Sequence, residues 1–349
     1  MDESTRTPQC TTPTPPIEVG DWEFVADNVL RIPLPLPIPE LKSVNCYALL
    51  GVDGVTLIDP GWVSEDTEKA LSRALTDAGT SLDEVSTILV THSHWDHYTQ
   101  AYALHQQRNT TLLLGRDEQH SIRGWAELDG AFPIQVGLLD GAGAHEHARR
   151  LEAKPVADTE KHTAFGHPTD YLDGDENLAL SGTVVKVLST PGHTRGHLVF
   201  HDKTSNLMFS GDHVLPRITP SIAYERCPDR MALRSYLTSL RLLVDHAPGQ
   251  MMPAHGNPQP VVHERAQELI DHHEARLREV HELIDAGAST GLEIASAMKW
   301  TRRNVSLNEL APDQQWTAIL EAVAHADLLE WRGYVSRSNH GRTDSYRPI

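Results

Sequence analysis

Short apolar and β-branched runs recur through the first two thirds of the chain, each closed by glycine, proline or aspartate, and such runs predict strands. Trp22-Glu23-Phe24-Val25 and Val29-Leu30-Arg31-Ile32 flank an Asp27-Asn28 turn, and residues 45–50 and 54–58 meet through Asp53-Gly54, a hairpin signal. Residues 33–39 place proline at every second position, which fixes φ and removes donors, so an extended edge connection is expected there. Ala70, Leu71, Ala74 and Leu75 stand at helical spacing and predict a crossover helix over 66–78 before the buried strand Ile88-Leu89-Val90. Further strands are expected at 111–114, from near Leu178, at 184–188, 207–209 and 251–254. Strands mixed with crossover helices imply a layered α/β fold.

Past residue 257 the period changes. Val262, Ala266, Leu269, His273, Leu277, Val280 and Ile284 make one buried stripe on a helix over 262–286. Thr290-Gly291-Leu292-Glu293 is a capping-box pattern that opens a shorter helix, and Trp316, Ile319, Leu320 and Val323 mark another. Leu329-Glu330-Trp331 and Tyr334-Val335 flank Arg332-Gly333, followed by Asn339-His340-Gly341 before Tyr346, which predicts a hairpin after the helices. The chain therefore divides into a Thr- and Pro-rich tail (1–16, expected to be disordered), an α/β domain (17–257) and a mostly helical domain (258–349).

Composition narrows the function. The 349 residues carry 30 Lys and Arg against 48 Asp and Glu, a formal charge of −18 that repels nucleic acid and anionic membrane over most of the surface. Cys10, Cys46 and Cys227 are odd in number and far apart, so neither a disulfide framework nor a thiolate metal site is expected. The amino terminus lacks a basic segment followed by an apolar core, and no later run approaches a membrane span. A reducing, cytoplasmic setting without membrane insertion is the expectation.

The chemistry concentrates at Thr91-His92-Ser93-His94-Trp95-Asp96-His97, directly after an apolar strand. His92 and His94, two apart on extended backbone, point the same way, and Asp96 and His97 follow on the next turn. Such a cluster supplies donors for one metal ion or two. Three later strands also end in a candidate ligand beside glycine: Gly192-His193, Gly211-Asp212 and His255-Gly256. Asp59, at the end of another strand, can orient a ligand imidazole through the ring nitrogen a metal leaves free. All the donors are imidazole or carboxylate, a set that suits zinc and also iron or manganese.

These motifs resemble the metallo-β-lactamase-fold superfamily of metallohydrolases, in particular its glyoxalase II-like members, over roughly residues 44–256. THSHWDH is similar to the HxHxDH signature, GHTRGH to the third-histidine motif, SGD to the bridging aspartate and AHG to the last histidine. The resemblance implies an αββα sandwich of two mixed sheets. It implies that His92, His94 and His193 bind one divalent ion, Asp96, His97 and His255 a second, and that Asp212 bridges them. A hydroxide shared by the two ions is then the expected nucleophile, with Asp96 also a candidate for orienting it or moving its proton. His197 and His213 adjoin ligands and are expected as buried hydrogen-bonding neighbours. His94 stands where flavin-linked di-iron relatives usually place glutamate, which disfavours redox chemistry. Asp212 stands where true β-lactamases of the superfamily lack an aspartate ligand. The stretch Tyr98-Thr99-Gln100-Ala101 departs from the small residues many relatives carry.

Substrate recognition is expected from the long connection between residues 114 and 178, with Trp125, Phe132, His167 and Tyr171 as wall candidates. His145-Glu146-His147 reads as a solvated helix face. Arg217 and Tyr224, on the loop after Asp212, are candidates for holding a substrate carboxylate or phosphate. The predicted activity is hydrolysis of an ester, thioester or lactone of a small acidic metabolite. The C-terminal domain is similar to the winged-helix appendage of some superfamily members, so single-strand endoribonuclease or RNA-binding activity is the alternative. From Lys299 onward seven Lys and Arg face six Asp and Glu, without a basic stripe, and a lid or homodimerisation element is the favoured role.

Overall fold

The computed structural model describes residues 17–37, 41–156 and 165–349. The expected disordered tail, and the last proline of the 33–39 run, lie outside these residues. Strands β1 (Glu23–Ala26), β2 (Val29–Pro35), β3 (Ser43–Gly51), β4 (Gly54–Ile58), β5 (Val85–Leu89), β6 (Thr111–Gly115) and β7 (Asp170–Leu172) form one seven-stranded sheet in chain order. Its first strands pair antiparallel and its last four parallel. A five-stranded sheet, also mixed, is built from β8 (Asn177–Leu180), β9 (Thr183–Ser189), β10 (Leu198–Asp202), β11 (Leu207–Gly211) and β12 (Gln250–Pro253), with only β11 and β12 parallel.

Side-chain alternation along these strands generates the layers. Val29, Ile58, Leu89, Val187, Phe200, Phe209 and Met252 point between the sheets and share one core. Their sequence neighbours Leu30, Leu57 and Ile88 face the opposite way, against α1 (Glu65–Asp77) and α2 (Trp95–Arg108). On the other outer face Leu188, Val199, Met208 and Met251 pack with Ala232–Asp245 and Val262–Asp285. The result is the αββα sandwich. In α1 the buried residues are Thr67, Ala70, Leu71, Ala74 and Leu75, the predicted stripe, and Ser64 caps its first turn by accepting from Thr67 N–H.

The long connection after β6 forms α3 (Gln119–Glu127), α4 (Pro133–Gly141) and α5 (His145–Glu152), followed by α6 (Ala232–Asp245) and α7 (Val262–Asp285). Helix α8 (Gly291–Ala297) begins with the predicted capping box, in which Thr290 and Glu293 exchange side chain and backbone hydrogen bonds. One expectation fails here: Leu329-Glu330-Trp331 is no strand but the end of α9 (Pro312–Trp331). The hairpin itself is present, β13 (Val335–His340) with β14 (Thr343–Pro348), turning at Gly341-Arg342 after the expected Asn339-His340. Leu328 and Leu329 are buried in register with Trp316, Ile319 and Leu320, so the helical stripe runs on to Leu329, while Glu330 and Trp331 at the helix end are exposed. The C-terminal helices share one apolar core with α6 and with α4. Among the described residues no helix is long and apolar enough to cross a membrane.

Candidate metal centre

Five strands deliver chemistry at their carboxyl ends: β4 to Asp59, β5 to His92 through His97, β9 to His193, β11 to Asp212 and β12 to His255. His92, Asp96, His97, His193, Asp212 and His255 are all buried, and His94 is half-buried. Gly211, at φ +51, lets the chain enter this space, because a Cβ there would lie 2.7 Å from His197 Nε2 and from Thr91 Oγ1.

The donors fall into two groups. Ligand-type atoms of His92, His94 and His193 lie within 4.8 Å of one another, as do those of Asp96, His97 and His255, while Asp212 groups with His92 and His97. In the first group His94 Nδ1 is 2.9 Å from His92 Nε2 and 3.0 Å from His193 Nε2. In the second, His255 Nε2 is 3.4 Å from both Asp96 Oδ2 and Asp212 Oδ1.

The outer nitrogens of these rings are held by acceptors, which sets the tautomers. His193 Nδ1 donates to Ser221 O at 2.6 Å, His255 Nδ1 to Ser43 O at 2.9 Å and His97 Nδ1 to Asp59 Oδ2 at 3.0 Å. Thr91 Oγ1 gives its proton to Asp59 Oδ2 at 2.7 Å, so it must accept from His92 Nδ1 at 3.0 Å. Each of these rings therefore turns an Nε2 lone pair inward. Asp59 fixes two of them at once, and Thr91 N–H also donates to it at 2.8 Å. It does so in a left-handed backbone conformation, φ 50, uncommon for a residue other than glycine.

Three buried atoms that face one another in this cluster, His97 Nε2, Asp212 Oδ1 and His255 Nε2, make no hydrogen bond, and neither does His94 Nε2 on the far side of its ring. Unpaired buried donors and acceptors cost about 1–3 kcal/mol each, so their convergence needs a compensating partner. Burial opposes charge on His97, but Asp96, Asp59 and Asp212 outweigh it and push the ring up to about 10. Burial likewise opposes charge on His255, whose ring Asp212 and Asp96 raise. Burial, with His193 beside it, pulls His94 down to about 3, and burial lowers His193 to about 4. The carboxylates thus draw positive charge to the His97 and His255 side of the pocket, while His94 and His193 resist carrying it as protons. Divalent cations fit that donor set.

The neighbouring residues divide. His197 is buried, with Nδ1 2.9 Å from Thr190 Oγ1 and Nε2 accepting from Asp212 N–H at 3.2 Å. It anchors the aspartate. His213 is buried beside it, lowered to about 3 chiefly by burial, and packs edge-on against Tyr236. Tyr224 stands beside the centre, its ring 6.1 Å from that of His94. Arg217 is exposed on the loop after Asp212, outside the lining of the cleft beside His94, and its carbonyl accepts from Arg302.

A cleft opens next to His94, lined by Trp95, Trp125, Ala131, Phe132, Tyr224 and Arg226, with Ser93 and Ser121 as polar members. Trp125 and Phe132 are among the wall candidates read from sequence. His167 and Tyr171 instead hydrogen-bond to each other at 2.7 Å, outside that lining. Trp316 of α9 supports the wall from behind, with ring centroids 5.5 Å from Tyr224 and 5.0 Å from Phe132. Arg226 lies over Trp125 at 4.4 Å and donates to the carbonyls of Gly124, Leu128, Gly130 and Ala131, holding the loop that carries Phe132.

Sequence reasoning missed Glu118 and Glu225. Glu118, fully buried, accepts from Ser93 N–H and from the hydroxyls of Ser93 and Thr194, so one carboxylate ties the first histidine turn to the His193 turn. Glu225, also buried, accepts from Arg195 N–H at 3.2 Å and Ser121 Oγ at 3.2 Å. Within Arg116-Asp117-Glu118 nothing distinguishes Glu118 from a solvated charge, so no local signal could have found it.

Fold and donors together define a metal-binding protein on an αββα scaffold. Residues 40–255 match the metallo-beta-lactamase superfamily domain, and the chain belongs to that superfamily. It is 23% identical over 338 residues to a Bacillus subtilis (strain 168) protein named as a probable metallo-hydrolase, covering 93% of this chain and 99% of that one. A metallo-beta-lactamase family protein from Thermus thermophilus superposes with a TM-score of 0.74 at 27% identity, covering 93% of this chain and 100% of that chain. A beta-lactamase domain protein from Burkholderia ambifaria has the same fold, with a TM-score of 0.75 at 24% identity over 97% of this chain and 96% of that chain.

Proposed function

We propose that this chain is a dinuclear metal-dependent hydrolase that cleaves an ester, thioester or lactone bond next to an apolar acyl group. The observation that carries the reading is the convergence of three unpaired buried donor atoms, His97 Nε2, Asp212 Oδ1 and His255 Nε2, with imidazoles whose outer nitrogens are tied down. His92, His94 and His193 would hold one ion, Asp96, His97 and His255 the second, with Asp212 between them. When bound, two divalent ions at such a site, zinc by preference and iron or manganese by the same donors, supply hydroxide near neutral pH and polarise the scissile oxygen.

The chain's own residues do the rest. Asp59, through His97 and through Thr91 to His92, keeps the ligand rings in one tautomer and orientation. Asp96, whose Oδ2 lies between His97 Nε2 at 3.7 Å and His255 Nε2 at 3.4 Å, is the candidate for orienting the attacking water or receiving its proton. Trp95, Trp125, Phe132 and Tyr224 seat the acyl portion against His94 and exclude water from the reacting carbonyl. Because the cleft's arginine is committed to loop carbonyls and Arg217 is exposed, the wall favours apolar over acidic substrates. Packing of Trp316 on this wall supports a role for the C-terminal helices in forming the substrate site rather than in binding RNA.

The test is a hydrolysis panel of acyl thioesters, aryl esters and lactones, run on zinc-loaded and chelator-stripped protein. Metal-dependent turnover that improves as the acyl group becomes larger and more apolar is expected. Absence of turnover across the panel by protein with counted metal would remove the reading.

A further inference from the structure

A second cluster of metal-ligand chemistry lies away from the centre, where α7 packs against α9. Ligand-type atoms of His272, His273 and Glu321 lie within 4.8 Å of one another. His273 is 1% exposed, His272 is exposed and Glu321 is half-buried, so the cluster runs from core to surface.

The hydrogen bonds around it leave one lone pair over. His325, fully buried, donates from Nδ1 to the backbone carbonyl of Glu321 at 2.7 Å. In a neutral ring its Nε2 is then an acceptor, and the atom facing it at 3.2 Å is His273 Nδ1, which must carry the proton. His273 Nε2 is therefore an unprotonated acceptor, buried and without a hydrogen-bond partner. A ligating imidazole shows this arrangement, with its other N–H given to an acceptor that fixes ring and tautomer. Glu321 contributes twice, its carbonyl starting the relay and its carboxylate belonging to the cluster. Arg276, whose charge reaches all three side chains, is itself held by Glu279 and the carbonyl of Lys299 and lies over Trp300.

We propose that His272, His273 and Glu321 form a further divalent-metal site, taking zinc or a similar borderline ion through two imidazoles and one carboxylate, with a remaining position open to water. Two nitrogens and one oxygen donor suit such ions and not calcium or magnesium. The ion joins α7 to α9, the helix that carries Trp316. It also sits one ring from the first centre, because Tyr236 packs edge-on to His273 at 5.5 Å and donates to His213 O at 2.9 Å.

The experiment counts zinc in the full chain after equilibration with excess zinc and removal of weakly bound ion. Glu321→Gln and His272→Ala should each carry one zinc fewer per chain than the unsubstituted protein. That difference does not depend on how many ions the first centre holds, so failure of the hydrolase reading would leave it intact. His272 is exposed, and His272→Ala should keep the metal-free melting temperature while losing part of the rise that zinc confers. Equal zinc content in the folded variants and the unsubstituted protein would overturn the proposal.

Discussion

The turn that holds His92, His94, Asp96 and His97 and the wall that faces it are built by opposite strategies. Four of the seven proposed ligands come from one heptapeptide at a strand end, and the others from three equally short strand-to-loop junctions. The wall instead collects Trp95 from α2, Trp125 from α3, Phe132 and Tyr224 from loops and Trp316 from α9. Chemistry is local in the chain and selectivity is assembled from distant parts. The proposed ligands thus sit on a few short strand ends, while the wall, apart from Trp95 between His94 and Asp96, lies outside them.

The largest expected effect breaks the local half. His97→Ala should lower kcat/KM by on the order of 10³-fold, the scale of losing several kcal/mol of metal-borne charge stabilisation. Metal counting should show that it empties mainly the site shared with Asp96 and His255; equal loss of both ions would mean that the assignment or the independence of the two groups is wrong. Next comes Asp59→Asn, which weakens the acceptor for His97 and Thr91 while keeping the shape. Chelator competition should show metal affinity reduced by about 10–100-fold. Affinity unchanged by this substitution would contradict the orienting role.

Smaller effects probe the dispersed half. Phe132→Ala should raise KM about tenfold for substrates with a bulky apolar acyl group, with kcat little altered, as befits aromatic contacts of roughly 0.5–1.5 kcal/mol beyond area burial. An equal rise for an acetyl ester would show that the wall does not act through the acyl chain. The smallest effect concerns Glu225, which burial and then the nearby charge of Glu118 raise well above the ordinary 4.5. The native state keeps a proton there that the unfolded chain surrenders, so its stability falls as pH rises above the unfolded value and through the folded one. Urea unfolding should therefore show Glu225→Gln gaining on the unsubstituted protein as pH rises above 4.5. A pH-independent difference would contradict this.

The same contrast explains what could be read from the chain. The stripes of α1 and α7, the capping box at Thr290 and Glu293 and the strand ends beside glycine all follow local periodicity, and the structure has them within a few residues. The hairpin turns at Gly341, in the stretch the sequence marks, but its first expected strand, Leu329-Glu330-Trp331, is helix, because Leu329 fits either period and only contact with the core decides. Arg217 is a candidate anion clamp by proximity to Asp212 in sequence, and the structure leaves it exposed on that loop. Glu118 offered no pattern, since its role depends on two turns far away in the chain, at Ser93 and Thr194. Tyr224 was a candidate by position, but its stacking on Trp316 from the last third of the chain has no sequence signature.

The most direct measurement is a zinc add-back titration of chelator-stripped His272→Ala protein, following hydrolysis of a bulky acyl thioester against bound zinc. Two tightly bound equivalents should restore activity, with turnover complete when both are filled. Full activity in the stripped protein, or no activity with both equivalents bound, would contradict the account.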